Sequence, residues 1–335
     1  MTDPTLPTVE LDRVAEMLEK SKHAISARFI GQRDVVDLTL AAILSGGHAL
    51  LVGVPGLGKT RLVETFGTVM GLKTNRVQFT PDLMPADILG SEILQTEASG
   101  ERRFKFVEGP VFTELLMADE INRASPRTQS ALLQAMQERQ VSIAGSDRPL
   151  AQPFHVLATQ NPIEQEGTYP LPEAQLDRFL AQIDIDYPDR DTEQDILLAT
   201  TGVSEEQASR IFDVPSLLSV QRLVRQMPVG DATLAMILAL VRGLRPDDDT
   251  ASELVKSSVN WGPGTRAAQS LILMSRAKAL IEGRAAANID DVLALAYPVL
   301  VHRMSLKFSA RTQGISLRQV ISETVTTLDR EGLAA

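Results

Sequence analysis

Gly53-Val54-Pro55-Gly56-Leu57-Gly58-Lys59-Thr60 decides how this 335-residue chain is read. The octet satisfies G-x-x-x-x-G-K-[ST], and a chance match in a chain of this length is on the order of one in a hundred. Its setting carries more weight than the match. The run His48-Ala49-Leu50-Leu51-Val52 reads as a buried strand ending at Gly53. A helix with Leu62, Val63, Phe66 and Val69 on one face opens near Lys59 and stops at Gly71. Strand, glycine-rich turn and helix start aim backbone N–H groups and the positive helix end at the same phosphates. Gly53, Pro55, Gly56, Leu57, Gly58 and Arg61 are therefore expected around the nucleotide. Lys59 would neutralise its β- and γ-phosphates, and Thr60 would ligate Mg2+. A tight turn without a ligand is the alternative.

Working outward, further strands are expected at Arg76 to Phe79, Glu114 to Ala118, Phe154 to Thr159 and Leu180 to Ile185. Apolar runs separated by helices point to an α/β fold: a five-stranded parallel sheet with helices on both faces. Two helices from about Val9 to Ser45, broken at Gly31-Gln32, precede it. Between Asp82 and Phe112, Glu92-Ile93-Leu94 and Phe104-Lys105-Phe106-Val107 flank a polar turn at Ala98-Ser99-Gly100, which reads as an inserted hairpin. Past Tyr187-Pro188-Asp189 strand signals vanish and helical spacing takes over, with a helix start at Asp290 and a stop at Gly283. The expected division is an α/β unit over 1–188 and an all-helical unit over 189–335. The last thirty residues carry only weak patterning.

Composition narrows the function classes. A net charge of -10 and 4% aromatic residues argue against a basic clamp or an aromatic stacking surface for nucleic acid. The absence of cysteine excludes disulfides, thiol catalysis and thiolate metal sites. His23, His48, His155 and His302 lack ligand spacing and are expected in structural roles. The acidic, polar start and the lack of a membrane-length apolar run lead to the expectation of a cytoplasmic protein with no membrane insertion.

Four further elements carry chemistry. Leu115-Leu116-Met117-Ala118-Asp119-Glu120 is an apolar strand ending in two carboxylates, which need a partner. Asp119 would hold Mg2+ through water, and Glu120 would polarise the attacking water. Leu157-Ala158-Thr159-Gln160-Asn161-Pro162 places an amide beyond a second strand, where an adjacent position would bring Asn161 near the γ-phosphate. A turn-forming Asn before Pro is the competing reading. Arg178, in Gln175-Leu176-Asp177-Arg178-Phe179, can stabilise transferring phosphoryl oxygens from a neighbouring subunit, or else pair with a surface acid. Gly262-Pro263-Gly264-Thr265-Arg266 opens a helix from which Arg266 could reach a phosphate.

The segments Gly46–Thr60, Ala118–Ala124, Gln129–Val141 and Ala158–Phe179 together resemble the MoxR family of AAA+ ATPases, strongly over about Phe29 to Tyr187 and more weakly through the helical unit. Members more often carry Ala at the position of Gly58, and Gly264-Thr265 before Arg266 is less typical. The resemblance implies a P-loop AAA+ core with a helix-2 insert over the hairpin region and a C-terminal helical lid. It implies assembly into a ring, usually hexameric, with ATP and Mg2+ as cofactors. It also implies Asn161 as sensor 1, Arg178 as arginine finger and Arg266 as sensor 2. Relatives act like chaperones on client proteins, with von Willebrand factor A domain partners, in maturation or metal loading. No D-x-S-x-S motif occurs here, so such a domain would lie on another chain.

Two other readings compete. One is a nucleic-acid or chelatase-type AAA+ motor subunit. The other is a monomeric phosphate-loop GTPase or kinase, disfavoured by the lack of N-K-x-D and by the appended helical unit.

Overall fold

The apolar runs lie side by side in one parallel sheet whose order differs from their order in the chain. The computed structural model describes residues 8–96, 101–164, 167–202 and 207–332. Helices α1 (Thr8–Arg28) and α2 (Arg33–Leu44) lead to β1 (Ala49–Gly53), α3 (Lys59–Val69) and β2 (Thr74–Gln78). The short α4 (Pro85–Leu89) then enters an antiparallel hairpin, β3 (Gly90–Thr96) and β4 (Arg102–Glu108). Next come β5 (Leu115–Asp119), α5 (Pro126–Glu138), a second hairpin of β6 (Gln140–Ile143) and β7 (Ser146–Pro149), β8 (His155–Gln160), α6 (Glu173–Leu176) and β9 (Ala181–Ile185). The sheet runs β2-β5-β8-β1-β9, all parallel.

Both faces of the central strands are covered, so alternate residues feed two cores. Leu51, Met117 and Leu157 face the core made with α1, α2 and α3. Leu50, Leu116, Ala118, Val156 and Ala158 face the other, against Leu132, Leu133 and Met136 of α5. Truncating Leu51, which is fully buried, would cost about 2–5 kcal/mol. The phosphate loop therefore hangs from a rigid strand.

A run of helices follows: α7 (Arg190–Thr201), α8 (Val214–Gln226), α9 (Asp231–Gly243), α10 (Glu253–Ser258), α11 (Thr265–Ile281) and α12 (Ile289–Leu300). A small ribbon of β10 (Val259–Trp261) and β11 (Ser305–Leu306) precedes α13 (Phe308–Thr312) and α14 (Leu317–Gly332). These helices form a C-terminal lid; α11 packs on α2, and α12 on β9. One apolar core runs from Val14 to Ile321 across both units.

Several expectations shift in detail. Strand β2 begins two residues early, because at the sheet edge only Val77 is buried and no apolar run marks Thr74 and Asn75. The expected turn at Ala98-Ser99-Gly100 lies outside the described residues. The hairpin β6–β7 gave no sequence signal, since Ala144 and Gly145 make the left-handed turn without an Asn-Gly pair. Helix α12 starts one residue before Asp290, capped by the Asn288 side chain on the Asp291 N–H. The weakly patterned C-terminal stretch forms α14, which needs few apolar positions because Val320 and Ile321 provide its fully buried contact.

Candidate nucleotide site

The phosphate loop occupies the carboxyl edge of the sheet. Gly56 and Gly58 adopt φ of 86° and 74°, which turns the chain into α3 at little steric cost. At Gly53 an added Cβ would stand 2.6 Å from the Ile185 carbonyl oxygen, so β1 and β9 approach this closely only with glycine there. Lys59 donates to the Gly53 and Val54 carbonyls at 2.6 and 2.8 Å. Burial pushes its ammonium below the usual lysine range, while Asp119 and Glu120 draw it back up. The lysine thus feels both acids of β5.

Those acids are held by neighbours that the sequence reading did not mark. Asp119, 8% exposed, pairs through Oδ2 with Arg76 at 2.6 Å and accepts the Thr159 hydroxyl through Oδ1 at 2.6 Å. The Thr159 oxygen in turn accepts the Glu120 N–H at 2.8 Å. Glu120 sits at φ 56°, a strained left-handed position for a residue with a side chain. Its Oε2 accepts from Gln78 at 2.7 Å and from Arg123 at 3.0 Å. That bond to Glu120, with Glu164 nearby, holds the Arg123 guanidinium more firmly protonated. Arg76 and Gln78 alternate on β2, and register sets Gln78 opposite Asp119. Polar residues spaced by two at a strand end were the available signal; which strand they would face was not.

Asn161 follows the last residue of β8, between β5 and β1. It is 7% exposed, accepts the Ile163 N–H at 3.1 Å and donates to Glu164 at 3.3 Å. The side chain closes the turn at Pro162 while standing at the same edge as the loop. Beside the loop opens a cleft of about 410 Å³, lined by Phe29, Gln32, Leu57, Arg61, Tyr187 and Ile196 among others. Its walls come from the break between α1 and α2 and from α7, both remote in sequence from the phosphate loop.

Arg178 and Arg266 lie elsewhere. The Leu180 N–H donates to the His48 carbonyl at the start of β1, so Arg178 belongs to the amino edge of the sheet. From there to Gly53 the extended strand spans roughly 16 Å. Arg178 donates to Gln137 at 3.0 Å. Arg266 lies 3.7 Å from Asp177. Burial lowers the affinity of Arg178 for its proton, Arg266 adds to the effect, and Asp177 opposes it. The two arginines and Gln137 line a cleft of about 210 Å³ that shares no residue with the loop-side cleft.

Three of the four histidines, His48, His155 and His302, are buried against backbone groups as expected, whereas His23 is exposed. His48 accepts the Val156 N–H through Nδ1, and His155 contacts the Gly47 carbonyl. A further cleft of about 540 Å³ between α2, β9, α11 and α12 contains none of the predicted site residues. Among the described residues no helix is long and apolar enough to cross a membrane.

Comparisons with known proteins match the fold. A family model described as the ATPase family associated with various cellular activities matches residues 48–181, and one for the AAA lid domain matches 251–324. Chaperone MoxR1 of Mycobacterium tuberculosis is 42% identical over 311 residues, covering 93% of this chain and 81% of that protein. Protein MoxR of Paracoccus denitrificans is 31% identical over 304 residues, covering 84% and 87%. A solved structure from Cytophaga hutchinsonii superposes with a TM-score of 0.87 at 36% identity, covering 94% of this chain and 95% of that one.

Proposed function

The chain belongs to the MoxR-type AAA+ ATPases and is an ATP-hydrolysing enzyme, and from that premise we propose that it hydrolyses Mg·ATP between subunits of a ring to remodel partner proteins. The observation that carries the reading is a division: the loop, Lys59, Asp119 and Glu120 share one sheet edge, while Arg178 and Arg266 occupy the other. One chain supplies two halves of a site that cannot meet within it. A head-to-tail ring brings them together.

In this reading residues 1–188 bind the nucleotide and 189–335 form the lid. The Gly53–Thr60 amides and Lys59 take the phosphates, and the cleft lined by Phe29, Arg61 and Tyr187 takes the nucleoside end. Thr60 and Asp119 offer oxygen donors of the kind Mg2+ prefers, alongside phosphate oxygens. The hydroxyl-braced Asp119 carboxylate fits that duty, with Arg76 yielding the Oδ2 position. When bound, the ion neutralises phosphate charge. Glu120 accepts the proton of the attacking water, and Asn161 orients that water. Arg178 and Arg266 of the next copy stabilise the charge developing on the transferred phosphoryl group.

A chaperone-like role follows from the likeness to the mycobacterial chaperone. We place a von Willebrand factor A domain protein, and maturation or metal loading of a client, within the same proposal. The ring, expected to be a hexamer, and a cytoplasmic location belong to it as well. Sedimentation of Glu120→Gln protein at saturating Mg·ATP is the test. A ring is expected, whereas a monomer would sink the intersubunit site. Stimulation of turnover by DNA or RNA would favour a nucleic-acid motor instead.

A further inference from the structure

Arg303 ends the short turn Val301–Arg303 after α12 and is 3% exposed. Its guanidinium reaches out of the lid into the segment that carries Arg178. Nε donates to Asp177 Oδ1 at 2.7 Å, and Nη2 to the Phe179 carbonyl at 2.6 Å. Nη1 donates to the Leu180 carbonyl at 3.1 Å and to the Val299 carbonyl. Nη2 also reaches Ser270 Oγ at 3.0 Å. Residues on both sides of Arg178 are therefore fixed by one side chain.

The same side chain is linked to Arg266 through Ser270 and Asp177. Ser270 lies one helical turn after Arg266 on α11, hence on the same face. The second oxygen of Asp177 meets Arg266, so Asp177 is shared between Arg303 and Arg266. A buried charge is a poor device for stability alone, since apolar packing of the same volume often serves as well. What a planar, five-donor fork adds is fixed geometry, and lysine cannot reproduce it.

We propose that Arg303 is a positioning residue that holds Arg178 and Arg266 as one unit for presentation to the nucleotide of a neighbouring copy. The proposal rests on the intersubunit reading above. It requires that loss of Arg303 lower turnover without altering ATP affinity, because the loop-side cleft shares no residue with this cluster. It also places the defect in the subunit that donates the arginines, not in the one that binds the ATP.

Mixed rings test this. Lys59→Ala subunits have a disabled loop and an intact arginine face; Arg303→Lys subunits have the reverse. Arg303→Lys alone should lose at least about tenfold in kcat with KM nearly unchanged. Equimolar mixing with Lys59→Ala should restore turnover to roughly a quarter of wild type, the share of random junctions joining an intact loop to an intact face. Subunit exchange is followed by energy transfer between labelled copies, and folding by thermal melting. Arg178→Ala mixed with Lys59→Ala is the control for the premise. No gain there would overturn the intersubunit reading itself. A gain there with none from Arg303→Lys, or wild-type kcat in Arg303→Lys, would overturn the role of Arg303. If Arg303→Lys fails to fold, Asp177→Asn removes the shared carboxylate from the cluster, and the same outcomes decide.

Discussion

Thr159 donates its hydroxyl to Asp119 Oδ1 at 2.6 Å while its oxygen accepts the Glu120 N–H at 2.8 Å. One side chain on β8 thus braces both acids at the end of β5. Thr159→Val keeps the volume but removes both bonds, leaving a buried N–H and a buried carboxylate oxygen short of partners. A stability loss of about 1–3 kcal/mol is expected, together with a kcat reduced about tenfold at similar KM. Urea unfolding and steady-state kinetics check the two effects. Wild-type turnover would mean that Thr159 does not set the acids.

Binding and chemistry should separate at the loop. Lys59→Ala removes the cation facing the phosphates and should weaken ATP binding. Glu120→Gln keeps the loop and should bind ATP normally while turnover falls about 10²–10⁴-fold. Equilibrium binding of a fluorescent ATP analogue, paired with phosphate release, distinguishes them. Turnover that survives either change would refute the assigned site.

Two glycines of the loop should respond differently to alanine. At Gly53 the new Cβ meets a strand carbonyl at 2.6 Å, and β1 must shift away from β9. Loss of ATP binding and a cost of about 1–3 kcal/mol are expected. At Gly58 the nearest atom outside the loop is Phe29 Cε2 at 3.5 Å, so only the φ of 74° is penalised. That costs about 1–2 kcal/mol, and binding should survive. Melting curves with and without ATP report both.

Stability should fall on mild acidification. Burial holds His48 down at about 3, His155 at about 4 and His302 well below its ordinary value. An unfolded histidine titrates near 6.5. Above that pH neither state takes up these protons and the stabilisation is complete. Below it the unfolded chain binds protons that the folded one refuses, until His155 itself titrates at about 4 and His48 at about 3. Stability at pH 5.5 should be roughly 4 kcal/mol below that at pH 7, and His155→Gln should remove about a third of the difference. Urea midpoints at the two pH values measure it; a flat profile would contradict neutral burial.

Much of the site was legible because its parts are contiguous. Asp119 and Glu120 announced themselves as charges ending an apolar strand, and Asn161 as an amide ending another. Arg76, Gln78 and Arg123 did not, because exposed polar residues near strand ends are common and only pairing singles these out. Arg303 was illegible for a stronger reason: apart from the Val299 carbonyl, its partners lie 33 to 126 residues away.

By itself the order of residues determined the parallel α/β sheet, the phosphate loop between strand and helix, and the helical lid, since each follows from local periodicity and turn chemistry. Only the tertiary structure decided the strand order β2-β5-β8-β1-β9, and with it which strand ends became neighbours. That order sets Gln78 beside Asp119 and Asn161 beside the loop, while Arg178 stands at the far edge because it precedes a strand that runs parallel to β1. The reason is physical: lateral pairing depends on which apolar faces pack together over long separations, and no local pattern records that choice.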